Sequence, residues 1–157
     1  MKRTLILAAA LIGSGAVVSA QTVSPDDVAY DEYGSIEVSL SGAAGDPAVG
    51  AEIMSDRGQG NCVACHQVSA LTAAFQGNIG PSLDGAGDRW DEAQLRGIVA
   101  DAKMTFPDSM MPSFYKVSGF IRPGNAYTGK AADDTFTSLL TAQQIEDVVA
   151  YLARLKE

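Results

Sequence analysis

Histidine is all but missing from this chain: its 157 residues contain one, His66. Cysteine is nearly as scarce, with Cys62 and Cys65 as the two representatives. A structural zinc site needs four ligands, usually drawn from two clusters, and these three residues are all the Cys and His available, so that reading fails. Basic residues are also in short supply, 11 Lys and Arg against 19 Asp and Glu. Phosphate backbones would be repelled by such a surface, which excludes nucleic acid as a partner. The acidic excess suits a partner with a basic docking face, and it equally suits plain solubility. Long apolar runs are missing too. The one candidate lies at the start, where residues 5–12 are apolar, but Gly13, Ser14 and Gly15 break it short of the roughly 20 residues a membrane span requires.

That first segment has another reading. Lys2 and Arg3 precede the apolar run, and Val18, Ser19 and Ala20 place small residues where a signal peptidase cuts. Residues 1–20 are therefore expected to be a signal peptide cleaved after Ala20, which directs the mature chain to the periplasm. Without Lys2 and Arg3 the mature chain carries 9 basic residues against 19 acidic ones, a net charge of −10 with His66 neutral.

What is present is concentrated in residues 62–66, Cys-Val-Ala-Cys-His. This is the C-x-x-C-H pattern of covalent haem attachment. Each thiol adds across one vinyl group of the porphyrin, and two intervening residues let one helical turn offer both sulfurs to a single macrocycle edge. The next residue, His66, then reaches the iron. A thioredoxin-like redox pair would want a βαβ context, which this glycine-rich, helical surrounding does not offer. A disulfide would leave His66 unexplained. One covalent haem c is the expected cofactor.

With one histidine, a bis-histidine iron is excluded within the chain. Methionine, lysine, tyrosine or an open position remain, and methionine is the usual partner of histidine in electron-transfer haems. Met1 leaves with the signal peptide. Met54 sits on an expected helix and suits core packing, and Met104 suits a helix end. Met110 and Met111 lie in a proline-flanked stretch, residues 106–114, that reads as an extended loop. Neighbours on extended chain point to opposite sides, so one of the two is expected to reach the iron. Met111 directly precedes Pro112, which fixes an extended shape, and is the better placed. The carbonyl of Pro81, in the loop 79–83, is a reasonable acceptor for the other ring N–H of His66, as metal-bound histidines usually require.

Around these residues the pattern predicts helices. Asp46 and Pro47 suit a cap and first position of a helix running to about Asp56; Gly50 on it would permit a close crossing. Asn61 leads into a haem-bearing helix expected to end near Ser69. Residues 91–102 form another, with Leu95, Ile98 and Val99 at helical spacing; Trp90 before it fits beside a haem propionate or in ordinary core. Thr141 and Gln144 read as a capping box, followed by Ile145, Val148, Val149 and Leu152 at i, i+3, i+4 and i+7. This last helix is expected to cross the one bearing Gly50. Ile36, Val38 and Leu40 alternate, as in a short strand or a clamp on a partner. Residues 115–140, with Pro123, Gly124, Asp133 and Asp134, read as loop.

Placed together, these residues resemble the SoxX family, the monohaem subunits of SoxAX cytochrome complexes of bacterial thiosulfate oxidation. The resemblance runs through Gly45-Asp46-Pro47, Gly60-Asn61-Cys62-Val63-Ala64-Cys65-His66, Gly80-Pro81-Ser82-Leu83, Met111-Pro112-Ser113-Phe114 and the helix from Leu140 to Leu152. It implies an all-α, class I cytochrome c-like haem domain over residues 46–157. An N-terminal extension, residues 21–45, precedes that domain, and a long loop precedes its C-terminal helix. It implies thioethers on Cys62 and Cys65 and axial ligation by His66 and Met111. It also implies a heterodimer with a SoxA-type cytochrome subunit, acting as an L-cysteine S-thiosulfotransferase that joins thiosulfate oxidatively to a cysteine of a sulfur carrier protein.

The residues assign this chain a part in that reaction. No free thiol remains for sulfur transfer, and an iron closed on both faces has no site for substrate. No catalytic residue is therefore expected here; the sulfur chemistry falls to the partner, and this chain passes electrons to a soluble acceptor such as a small cytochrome c. A free-standing electron shuttle is the alternative, and a haem enzyme or gas sensor with an open sixth position is a third. The segments 21–45 and 115–140 favour a complex, because a shuttle needs little beyond the haem fold.

Overall fold

The computed structural model describes residues 21–124, 129–133 and 135–157. The expected signal peptide, residues 1–20, lies outside these, as does Asp134 of the expected loop. Among the described residues four α-helices carry the fold: α1 (Pro47–Ser55), α2 (Ala86–Arg89), α3 (Glu92–Asp101) and α4 (Ala142–Leu152). Among the described residues there is no strand, only an isolated antiparallel bridge between Gly124 and Ala131. None of the described helices is long and apolar enough to cross a membrane.

The helix starts follow local chemistry. Asp46 Oδ1 accepts the Ala48 N–H at 2.8 Å, and Pro47 occupies the first position, where its missing N–H costs nothing. Two capping boxes open α3 and α4. The Gln94 N–H donates to Asp91 Oδ1 at 2.9 Å while Asp91 N–H donates to Gln94 Oε1 at 3.0 Å. Thr141 and Gln144 exchange the same pair at 3.2 and 2.9 Å. Each box satisfies two orphan donors of a first turn.

Helix α4 buries Ile145, Val148, Val149 and Leu152, the stripe that its period predicts. It crosses α1 at Gly50, where any Cβ would lie 2.0 Å from the Asp147 carbonyl oxygen. Hydrogen alone fits there, so Gly50 sets how closely the two backbones approach. Asp147 Oδ1 also accepts the Asp46 N–H at 2.8 Å, fastening the start of α1 to the middle of α4.

Segment 21–45 folds back onto this frame. Ile36 and Leu40 enter the same core as α1, α3 and α4, while Val38 between them is 69% exposed. The alternation is therefore real, but no strand forms; the backbone groups go to helices instead. Ile36 N–H donates to the Ala93 carbonyl at 3.0 Å, Leu40 N–H to Glu146 Oε1 at 2.7 Å, and the Ile36 carbonyl accepts from Arg96 Nη1 at 2.8 Å. With Ile36 and Leu40 turned inward, they are not available to clamp a partner.

The haem-motif helix is shorter than its sequence predicts. A 3-10 turn covers Cys62–Ala64, and the His66 N–H still reaches the Cys62 carbonyl at 3.0 Å, but the chain then leaves the helical path well before Ser69. The carbonyls that would continue it are engaged elsewhere. Cys65 O accepts from Gly80 N–H at 2.8 Å and Gln67 O from Leu83 N–H at 2.9 Å. The Gln76 side chain takes both the N–H and the carbonyl of Val68, at 2.6 and 3.1 Å. Helix α2 was also not visible in the pattern, since Gly85 and Gly87 bracket its start and read as loop. Residues 115–140 leave and re-enter the fold at one place, where the Leu140 N–H donates to the Phe114 carbonyl at 2.9 Å; Phe120 and Phe136 pack edge to face within the excursion.

Candidate functional site

The motif, the loop 79–83, α3, α4 and the loop 106–114 surround one crevice. Its larger part is a cavity of about 730 Å³ whose wall is almost wholly apolar, including Met54, Leu83, Trp90, Leu95, Ile98, Val99, Val148 and Leu152. A second part, about 340 Å³, adjoins it and shares Cys62, His66, Ile79, Gly80, Met110 and Met111. The larger volume is in the range of about 300–1,000 Å³ typical of cofactor sites. Cys62, Cys65 and His66 thus stand together on the crevice wall.

The two thiols are half-buried and unbridged. Burial pushes the Cys62 thiol up to about 11, and the Cys65 charge adds to the rise. A redox-active C-x-x-C pair depends on a lowered thiol pKa, so the environment argues against that chemistry. It suits a neutral thiol awaiting covalent use beside an apolar cavity.

His66 is oriented by two features. Its Nδ1 lies 2.7 Å from the Pro81 carbonyl oxygen, which fixes Nδ1 as the protonated nitrogen and leaves Nε2 as the donor atom. Gly80 lies flat against the ring: a Cβ there would stand 2.2 Å from Cε1, 2.6 Å from Nδ1 and 2.8 Å from Nε2. Pro81 was identifiable from the need of a ligating histidine for an acceptor. Gly80 was not, because a glycine before proline reads first as a turn. Replacing Gly80 with alanine is expected to push the imidazole aside at a cost of about 1–3 kcal/mol. Thermal unfolding and the low-spin absorbance of the loaded protein are the measurements, and a native spectrum with unchanged Tm would contradict the expectation.

Both Met110 and Met111 border the crevice, but their burial differs. Met111 is half-buried and packs on the core, whereas Met110 is 80% exposed. Met54 is fully buried, though it also reaches the crevice wall, and Met104 is 46% exposed outside it. The Met111 backbone is held from both sides: its N–H donates to Ser109 Oγ at 3.2 Å, and its carbonyl accepts from Lys103 Nζ at 2.7 Å. Trp90 is half-buried on the crevice wall and packs edge to face on Phe106 at 5.9 Å. Beside it Arg89, absent from the sequence reading, also borders the crevice; it donates to the Asp84 and Ser82 carbonyls at 2.8 and 3.0 Å. A basic side chain next to the only tryptophan was its one signal.

Buried Asp101 ties the loop to α3. It accepts from Ser113 Oγ at 2.8 Å, Lys116 Nζ at 3.0 Å and its near neighbour Lys103 N–H at 3.2 Å. Burial raises the carboxyl, but the Lys116 and Ser113 hydrogen bonds and the Lys103 N–H outweigh it and hold it below the usual carboxylate range. Its contribution is therefore present at neutral pH and is lost as pH falls through the lowered, folded-state value.

The residues present fit a covalently held haem: an apolar crevice of suitable volume, two unbridged thiols on one turn, and an imidazole with its far nitrogen already hydrogen-bonded. Comparisons agree with this geometry. The family profile described as Cytochrome c matches residues 48–156. A chain of the crystal structure of SoxXA from P. pantotrophus is 57% identical and covers 87% of this chain and 100% of its own length, with a TM-score of 0.83. Ferric cytochrome c-550 from Paracoccus versutus is 23% identical over 72% of this chain and 99% of its own, with a TM-score of 0.37, too low to support any argument. Comparison with curated proteins gives no significant match.

Proposed function

The chain belongs to the cytochrome c family, as an electron-transfer subunit of the SoxX type that carries haem c, and we propose that it serves a periplasmic heterodimer with a SoxA-type cytochrome. In that complex thiosulfate is joined oxidatively to a cysteine of a sulfur carrier protein, as an L-cysteine S-thiosulfotransferase. The single observation that carries the reading is the 57% identity, over 87% of this chain, to the whole of a chain from a SoxXA complex.

The bound haem would supply a one-electron couple. Cys62 and Cys65 would hold it by thioethers, His66 would bind it through Nε2 with Nδ1 tied to Pro81, and Met111 would offer it a sulfur. With both cysteines committed to the haem and His66 and Met111 both given to its iron, this chain would offer no thiol and no open site to a sulfur substrate. The sulfur chemistry then belongs to the partner, and this chain takes the electrons and hands them to a soluble acceptor such as a small cytochrome c. Residues 1–20 serve as a cleaved signal peptide, leaving residues 21–45 as an extension and 46–157 as the haem domain.

Size-exclusion chromatography of the protein from native periplasm, with identification of what co-elutes, is the test. A second c-type cytochrome eluting with it is expected. A lone monomer would sink the complex and favour a free shuttle. Replacing Cys62 or Cys65 with alanine is expected to weaken haem retention in denaturing electrophoresis, because one thioether remains where two acted. Retention equal to that of the native chain would contradict the assignment of that cysteine.

A further inference from the structure

We propose that Lys103 is a positioning residue for Met111: its ammonium, on the Met111 carbonyl, determines which of two adjacent thioethers faces the haem crevice. The inference rests on Met111 as the sixth ligand. It goes further by naming what discriminates Met111 from Met110, next to it on the same extended loop.

The loop between Thr105 and Phe114 has little backbone bonding of its own. Ser109 N–H reaches the Phe106 carbonyl at 2.9 Å, and Pro112 has no N–H to give. Side chains of adjacent residues on extended chain point to opposite sides, so rotation of this stretch by one position would exchange the half-buried side chain of Met111 for the exposed one of Met110. The Met111 carbonyl is where such a rotation is most easily resisted, since its direction defines the peptide plane after Met111. Lys103 Nζ donates to it at 2.7 Å, a charge-assisted hydrogen bond.

Lys103 is itself held in place. It lies in the 3-10 turn Ala102–Met104, capped by Asp101. The same Asp101 carboxylate receives Ser113 and Lys116, just beyond the methionines. One buried anion therefore anchors both the turn that bears Lys103 and the chain leaving Met111. The loop is closed at its base, and the Lys103–Met111 bond sets its orientation at the middle. Lys103 is exposed, so its substitution leaves the core intact.

The haem-loaded full chain provides the test, with Lys103→Met and Lys103→Arg compared. Two readouts apply: the weak far-red absorbance band of thioether-bound ferric haem, and the affinity for added imidazole, which must displace the thioether. In Lys103→Met imidazole is expected to bind about tenfold more tightly, the effect of one lost hydrogen bond to a charged group at a partly exposed site. Lys103→Arg keeps charge and donors and is expected to bind imidazole as the native chain does. Native-like affinity in Lys103→Met would overturn the proposal. So would equally increased affinity in both variants, since the stem and not the hydrogen bond would then matter. Met111→Ala separates the underlying reading. If it keeps the far-red band, Met111 is not the ligand and both ideas fall. If it loses the band while Lys103→Met behaves as native, only the role of Lys103 fails.

Discussion

Met111→Ala is expected to abolish the far-red band of the oxidised protein and to lower the reduction potential by a sizeable fraction of the roughly 0.8 V that axial ligation spans. A thioether favours ferrous over ferric iron, so its loss moves the couple downward. Met110→Ala is the matched control, expected to leave both readouts nearly unchanged because its side chain is 80% exposed. The reverse pattern would exchange the roles of the two methionines. Loss in neither variant would move the sixth ligand off this loop. Spectroelectrochemistry on the two purified variants distinguishes these outcomes without any need for substrate or partner.

The second large effect concerns stability. Arg96 and Glu146 are both buried and meet with Nε at 2.9 Å from Oε1 and Nη2 at 3.0 Å from Oε2. Their remaining groups are satisfied by segment 21–45, through the Ile36 carbonyl and the Leu40 N–H. Taking two charges out of water costs nearly as much as their attraction returns, so the pair as a whole adds little net stability. Breaking it does harm, because the surviving charge stays buried. Arg96→Met is expected to destabilise by about 3–5 kcal/mol, or a fall in Tm of about 10 °C or more. Glu146→Leu made on that background is expected to recover part of the loss by removing the stranded carboxylate. Urea unfolding of the single and double variants measures this. A single variant within about 1 kcal/mol of native would show that the pair does not join these segments as described.

The two predictions differ in how far they could be anticipated. Met111 could be proposed from the sequence because Pro112 follows it and because histidine is otherwise exhausted. Arg96 and Glu146 were not, since each is one charged residue on a helix surface until the other helix is placed against it. The same division runs through the crevice. Asp46, Pro47, Thr141 and Gln144 act on backbone groups within four residues, so their effect is written in the local order of the chain. The end of the motif turn at Cys65 depends instead on Gln76, Gly80 and Leu83, which arrive from another loop and take its carbonyls. Gly80 beside His66 and Lys103 beneath Met111 are contacts of the same kind.

By itself the sequence determined the attachment motif, the scarcity that narrows the iron ligands, the caps of α1 and α4 and the stripe that α4 buries. These signals work between residues a turn apart, where bond geometry leaves few alternatives. Only the tertiary structure decided where segment 21–45 goes, how short the motif turn is, and which groups hold His66 and Met111 in position. Those depend on contacts that reach beyond a single turn, from eight positions apart between Lys103 and Met111 to 106 between Leu40 and Glu146, and packing of the core decides which of them meet.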